Sequence, residues 1–146
     1  MEEINLSLNF KWLENPTTVL TTYPQLYELM SNGNANNAVI IGNSAGQNNN
    51  ANENVFIGLN TGKSNITSPN NVFIGSNAGV AVIGNGIEGD NILIGCKTGE
   101  YLETGTNNIF IGSGAGTNTT SSMNNIVIGA FAMNIGNSSD VIIIGK

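Results

Sequence analysis

Asn54-Val55-Phe56-Ile57-Gly58 is one copy of a five-residue unit that occurs seven times in this chain of 146 residues. The other copies begin at residues 38, 71, 91, 108, 125 and 141, and each of them also ends in glycine. The glycines are separated by 16, 17, 20, 17, 17 and 16 residues. This period is too regular for chance and too short for a helical repeat or a propeller blade. It predicts an all-β fold, a parallel β-roll or β-solenoid of about seven coils.

The residues inside the unit predict what each coil buries. We number the positions 1 to 5, so that Asn54 occupies position 1 and Gly58 occupies position 5. Position 4 is always Ile and position 2 is always Val or Ile, and these positions share one face of a strand. We assign this face to the interior of the coil. The predicted coil core therefore contains Ile41, Ile57, Ile74, Ile94, Ile111, Ile128 and Ile144.

Position 3 points to the opposite face and is apolar in every copy. A strand that is apolar on both faces is covered on both faces, and no other segment of the chain is large enough to cover this second face. The sequence therefore predicts that copies of the chain meet around a symmetry axis. The predicted interface between them consists of Ile40, Phe56, Phe73, Leu93, Phe110, Val127 and Ile143.

Position 1 is asparagine in five of the seven units. Stacked coils lie about 4.8 Å apart, and at that spacing amide side chains form a hydrogen-bonded ladder. The sequence predicts such a ladder from Asn54, Asn71, Asn91, Asn108 and Asn125.

Residues 1–32 lie outside the repeat, which occupies residues 33–146. Alternation of apolar and polar residues predicts an amphipathic strand over residues 4–12, and capping signals predict a short helix over residues 23–32. Neither element is stable alone. We therefore expect this segment to cap the solenoid or to attach it to a partner. Its apolar side chains are Ile4, Leu6, Leu8, Phe10, Trp12, Leu26, Leu29 and Met30.

Composition narrows the range of partners. The net charge is −6, with only four basic residues, so the chain has no basic stripe that could neutralise nucleic-acid phosphates. No run of about 18 apolar residues is present, which argues against membrane insertion. Abundant asparagine and glycine suit many short strands joined by tight turns. The single Cys96 cannot form an intrachain disulfide.

Motifs that suggest chemistry are present only in part. Residues 84–89 fit the dinucleotide-binding pattern Gly-x-Gly-x-x-Gly, but no helix or βαβ unit follows them. Residues 41–46 match one hexapeptide of the left-handed helix acyltransferases, whose reaction uses a histidine base that this chain lacks. We predict no enzymatic activity and no cofactor.

Carboxylate pairs are the remaining candidates for chemistry. Within the repeat, residues 33–146, Glu88 with Asp90, and Glu100 with Glu103, are the only close pairs that could act in hydrolysis. Both pairs fall in predicted exposed loops, where solvated charges are the ordinary case. Calcium binding at Glu88 and Asp90 is the alternative that we keep open.

Two of the units resemble a known pattern. Ile-Gly-Leu-Asn-Thr-Gly at 57–62 and Ile-Gly-Ser-Asn-Ala-Gly at 74–79 resemble the Ile/Leu-Gly-x-x-Ala/Ser repeats of trimeric autotransporter adhesin heads. The form Asn-Asn-Val-Phe-Ile-Gly-x-x-Ala-Gly at 70–79 is similar to repeats of phage fibre proteins. The resemblance covers residues 37–145 and implies a left-handed parallel β-roll that forms a homotrimer. The predicted interface would then be a trimer interface.

The departures from that family affect the expected function. The period is longer than that of adhesin heads, and we expect neither a secretion signal nor a membrane barrel. These differences favour a structural virion protein, assembled in the host cytoplasm and displayed on the virion surface. In this hypothesis a homotrimeric fibre or spike binds a capsid or tail protein through residues 1–32, and its solenoid projects outward.

Two alternatives to a purely structural fibre remain. The first is an adhesin head module whose variable loops at 80–90 and 117–123 bind a host-surface glycan or protein, since exposed loops on a rigid scaffold commonly carry binding sites. The second, more remote alternative is an ice-binding solenoid. That function requires a flat and regular threonine array, whereas the threonines of this chain are irregularly placed.

Overall fold

A computed structural model of the protein describes residues 37–83, 89–133 and 136–145. These residues form a seven-stranded parallel sheet whose strands follow one another in chain order. No helix occurs among them, and the all-β solenoid predicted from the repeat is confirmed. The predicted strand 4–12 and helix 23–32 lie outside the described residues. The strands are β1 Val39–Ile41, β2 Val55–Ile57, β3 Val72–Ile74, β4 Ile92–Ile94, β5 Ile109–Ile111, β6 Ile126–Ile128 and β7 Ile142–Ile144.

Equal positions of the unit stack directly on one another. Phe56 pairs with Ile40 on one side and with Phe73 on the other, and the same register holds up to β7. After each of the strands β1 to β6 the chain turns and runs back on the opposite side of the coil, which we call the return side. There the coils are joined again by backbone hydrogen bonds, for example from the Gly62 N–H to the Ala78 carbonyl at 3.0 Å. Each coil is therefore a flattened loop that encloses a single interior.

The two faces of the strands are the reverse of the prediction. Position 3 points into the coil, where Phe56, Phe73 and Phe110 have no exposed surface, whereas positions 2 and 4 point outward. The residues predicted to form the interface between subunits thus line the interior: Ile40, Phe56, Phe73, Leu93, Phe110, Val127 and Ile143. The residues predicted to form the coil core lie on the outside: Ile41, Ile57, Ile74, Ile94, Ile111, Ile128 and Ile144.

A second glycine explains why the large side chain belongs inside. It stands four residues after position 5, at a place we call position 9, and it has a positive φ of 57° at Gly62 and 56° at Gly79. A Cβ atom on Gly62 would lie 2.8 Å from the ring of Phe56, and one on Gly79 would lie 2.6 Å from the ring of Phe73. Position 9 thus leaves space for the position-3 side chain, so that each ring fills the centre of its coil.

The core is a column of position-3 side chains with support from the return side. The rings of Phe56 and Phe73 stack with their centroids 5.0 Å apart and their planes 24° from parallel. Val82 and Leu102 reach the same interior from the return side and are buried. Burial of each large apolar side chain contributes about 1.5 to 3 kcal/mol, so the column stabilises the coils along their whole stack.

The glycine at position 5 forms the corner that ends each strand. Its φ lies between 131° and 141° in the first six units, a range that side chains rarely adopt. A Cβ atom on Gly58 would lie 2.6 Å from the carbonyl oxygen of Gly75 in the next coil. No larger residue fits between coils at this corner, which explains why Ile-Gly ends the first six units.

Candidate functional site

The most distinctive surface of the solenoid is the outside of its sheet, which we call the outer face. It consists of positions 2 and 4 of the seven strands, and all fourteen residues are Val or Ile. At about 4.8 Å per strand the outer face is roughly 34 Å long, and three residues of strand make it about 10 Å wide. Its members are Val39, Ile41, Val55, Ile57, Val72, Ile74, Ile92, Ile94, Ile109, Ile111, Ile126, Ile128, Ile142 and Ile144.

The outer face is regular and rigid. The common register places its side chains in two straight columns, one from position 2 and one from position 4. Val and Ile hold few χ1 rotamers, so an association of this surface restricts little side-chain motion. Central members are half-buried by their neighbours, whereas Ile142 and Ile144 in β7 are 71% and 75% exposed. A parallel sheet is ordinarily covered on both faces, and this face can bind another apolar surface.

Charged groups avoid the outer face. Within the described part of the chain, the acidic and basic side chains stand on the return side or in the turns that flank it. Lys97 and Glu100 form an ion pair there, with 3.7 Å between Nζ and Oε1. The outer face is therefore uniformly apolar, whereas the return side and the turns carry these charges together with scattered exposed apolar side chains such as Ile66 and Ile83. An ionic partner would have no counter-charge on the outer face.

The position-1 asparagines form a continuous ladder inside the coils. The Nδ2 of each rung donates to the Oδ1 of the preceding rung, at 3.2, 3.1, 3.0 and 3.0 Å from Asn54 to Asn125. Each of these acceptor oxygens also accepts the backbone N–H of the next rung. Each Nδ2 also donates to a backbone carbonyl of the return side. For example, the Asn71 Nδ2 donates to the Ser68 carbonyl at 2.9 Å.

The ladder has two members that sequence reasoning missed. The Oδ1 of Asn49 accepts from the Nδ2 of Asn54 at 3.2 Å and from the Nδ2 of Asn65 at 2.8 Å. Both Asn49 and Asn65 stand on the return side, outside the five-residue unit from which the ladder was predicted. The far end of the ladder is the Oδ1 of Asn125, which accepts the Val141 N–H at 3.2 Å.

The ladder is a structural device rather than a binding site. All five rungs are fully buried, and no buried side-chain nitrogen or oxygen among the described residues lacks a hydrogen-bond partner. A buried polar network that is fully satisfied stabilises one arrangement of the chain. The ladder therefore fixes the register of the coils and leaves no polar group for a ligand.

The loops proposed for receptor binding differ from each other in structure. The loop at 117–123 is part of its coil, because Thr119 and Ser122 point inward and are fully buried. The Oγ1 of Thr119 donates to the Gly116 carbonyl at 2.7 Å. Of the loop at 80–90, residues 84–88 lie outside the described residues, and so does Glu88 of the calcium hypothesis. In the described ranges, no three Cys, Asp or Glu side chains converge as a metal site would require.

The attachment residues predicted in the first 32 residues also lie outside the described part, so the structure does not place Ile4 to Trp12, Leu26, Leu29 or Met30. Among the residues that it describes, no helix is long and apolar enough to cross a membrane. Comparisons of the chain with protein-family models, with curated proteins and with solved structures give no match.

Proposed function

We propose that this protein is the structural subunit of a homotrimeric fibre or spike on a virus particle, in which the outer faces of three chains pack around a common axis. One observation carries the proposal: fourteen Val and Ile side chains form a continuous apolar surface along the whole sheet. An apolar patch of this extent on a protein surface marks an interaction site.

Copies of the same chain are the partner that this surface fits best. The outer face carries no charge and no hydrogen-bonding side chain, so its only chemistry is apolar contact. Its two straight columns are the same in every subunit, and parallel chains in equal register would place Ile against Ile or Val along the full length. The face is also narrow. Three narrow faces can enclose an axis, and the repeats resemble those of fibre and adhesin heads that are trimers.

The rod-like build supports a role in projection from a surface. Seven strands give a shaft of roughly 34 Å, and the first six coils are joined to one another by hydrogen bonds on both of their sides. We propose that residues 1–32 bind a capsid or tail protein, because the sequence of that segment predicts an apolar strand without a partner of its own. The solenoid would then extend outward with its polar return side in water.

The experiment has two parts. Light scattering of the purified full chain should give a mass three times 15.2 kDa, and a monodisperse monomer would refute the trimer. A chain that lacks residues 1–32 should still form a trimer but should no longer copurify with virus particles. Loss of the trimer on this deletion would instead assign the segment to assembly.

A further inference from the structure

A second surface feature lies at the turn after each strand. The second residue after the unit's glycine, which we call position 7, has a left-handed backbone in six successive coils, with φ between 53° and 66°. Residues that adopt this conformation at low cost are Gly, Asn and Asp. The six residues form a column on the outside of the turn: Ser44, Asn60, Asn77, Lys97, Gly114 and Phe131.

Phe131 is an unexpected residue in this column, because its side chain is unfavourable in the left-handed conformation and contributes little to the core. A bulky side chain in the left-handed region is a steric outlier, and the strain is not compensated by burial, because 55% of Phe131 is exposed. The other phenylalanines of the described residues are fully buried. A strained residue that the core does not need points to a role outside folding.

Neighbouring residues shape the surroundings of the ring. A Cβ atom on Gly114 would lie 2.6 Å from Cδ1 and 2.7 Å from Cε1 of Phe131, so the ring rests where a side chain of Gly114 would stand. The Oγ1 of Thr117 lies beside it, 3.3 Å from the same point. The single hydrogen of that hydroxyl lies within reach of two carbonyls, those of Gly114 and Lys97, at 2.8 and 2.9 Å, and the oxygen lone pairs remain able to accept.

We propose that Phe131, Gly114 and Thr117 form a binding site for a sugar ring of a glycan. A pyranose has one face of C–H groups that can stack on an aromatic ring and an edge of hydroxyls that needs donors and acceptors. The face of the Phe131 ring is available for the C–H groups, and the Thr117 Oγ1 beside it can accept a hydrogen bond from one of the sugar hydroxyls.

The size of the apolar area favours a sugar over a protein partner. A stable protein interface buries about 800 Å² on each partner around an apolar centre. Phe131 is a single exposed ring, and the residues placed beside it are Gly114 and Thr117. The site is formed by one chain, so it does not rest on the proposed trimer or on attachment to a particle.

The test is binding of the full chain to an immobilised array of bacterial surface polysaccharides and mammalian glycans. We expect a defined subset of glycans to bind, Phe131→Trp to retain them, and Phe131→Asn to weaken binding roughly tenfold through loss of the stacked ring. Asparagine tolerates the left-handed region, so the thermal midpoint of Phe131→Asn should be equal to or higher than that of the parent. Tyr101→Asn removes another exposed aromatic ring, 51% exposed, and should leave binding unchanged.

Gly114→Asn gives an independent check of the geometry. Asparagine accepts the backbone conformation of Gly114, but its Cβ would displace the Phe131 ring, and glycan binding should fall while the fold is kept. An array without any bound glycan, or unchanged binding by Phe131→Asn, would overturn the proposal. A change in the mass of Phe131→Asn by light scattering would also overturn it, because the ring would then belong to an interface between subunits.

Discussion

At the scale of single residues, glycine sets the geometry of each coil. Gly112 at position 5 has a φ of 134°, and a Cβ there would lie 2.5 Å from the carbonyl oxygen of Gly129. Gly145 also has a positive φ, of 109°, but nothing lies within 4 Å of its Cβ position. A side chain at Gly145 would therefore meet backbone strain alone, whereas a side chain at Gly112 would meet both backbone strain and a clash with the next coil.

We predict that Gly112→Ala destabilises the solenoid far more than Gly145→Ala. Both substitutions force alanine into an unfavourable backbone region, at about 1 to 3 kcal/mol, but only the first also pushes two coils apart. The measurement is thermal unfolding followed by circular dichroism. Equal losses for the two variants would show that the contact between coils has no role.

The sixth coil departs from the glycine pattern in a way that its core explains. Met133 occupies position 9, where other coils have glycine, with a φ of 54° and only 5% exposure. The position-3 residue of this coil is Val127, which is smaller than the Phe or Leu of the four coils before it. The methionine side chain therefore fills space that the larger position-3 residue occupies elsewhere.

A double-mutant cycle tests whether Met133 fills the space left by the small Val127. Val127→Phe alone should cost about 1 to 3 kcal/mol by overpacking, and Met133→Gly alone should leave a cavity. The two changes together restore the arrangement of the other coils, so their combined loss should be smaller than the sum, with a coupling of about 0.5 to 3 kcal/mol. Strict additivity in urea unfolding would contradict the contact.

At the scale of elements, the asparagine ladder connects strands that are far apart in sequence. The Oδ1 of Asn91 accepts from both the backbone N–H and the Nδ2 of Asn108, at 3.1 and 3.0 Å. Its own Nδ2 donates to Asn71 and to the Gly105 carbonyl. Removing this side chain leaves several buried groups unpaired.

We predict that Asn91→Leu lowers the free energy of unfolding by at least about 3 kcal/mol, since each buried group left unpaired costs about 1 to 3 kcal/mol. Asn48→Ala is the control, because Asn48 is exposed and its backbone bond to Lys63 is unaffected. Chemical denaturation of both variants measures the difference. A loss at Asn91 no larger than at Asn48 would mean that the ladder does not stabilise the coils.

The repeat predicts the number, order and register of the strands, but it does not predict which face of each strand points into the coil. A period of 16 to 20 residues with Ile-Gly at each return fixes seven parallel strands in register. Alternation cannot orient a strand that is apolar on both sides. The missed signal is position 1: Asn54 and Phe56 share one face, so a buried ladder requires a buried position 3. Asn49 and Asn65 lie outside the unit at one place of the period, seven residues after its glycine, but the next coils have Val82, Leu102 and Thr119 there, so no common residue type marks the place.

At the scale of the whole molecule, the solenoid is a rod with two unlike sides. Its return side carries amide, hydroxyl and charged groups, and its outer face carries only Val and Ile. Five acidic and two basic side chains of the described residues lie on the return side or in its flanking turns, so like charges would oppose association through that side. In the proposed trimer the chains associate through the outer face, and the two faces of a single strand should respond differently to the same substitution.

Leu93 and Ile94 give the sharpest test, because they are consecutive residues of β4 that point in opposite directions. Leu93 is fully buried inside its coil and Ile94 lies on the outer face.

We predict that Leu93→Asp prevents folding, because an unpaired charge in the interior costs several kcal/mol. Ile94→Asp should keep the circular dichroism spectrum of a folded solenoid while light scattering shows dissociation to monomers. Ser113→Asp, at an exposed turn residue, is the control and should remain assembled. A folded and fully assembled Ile94→Asp protein would contradict assembly through the outer face.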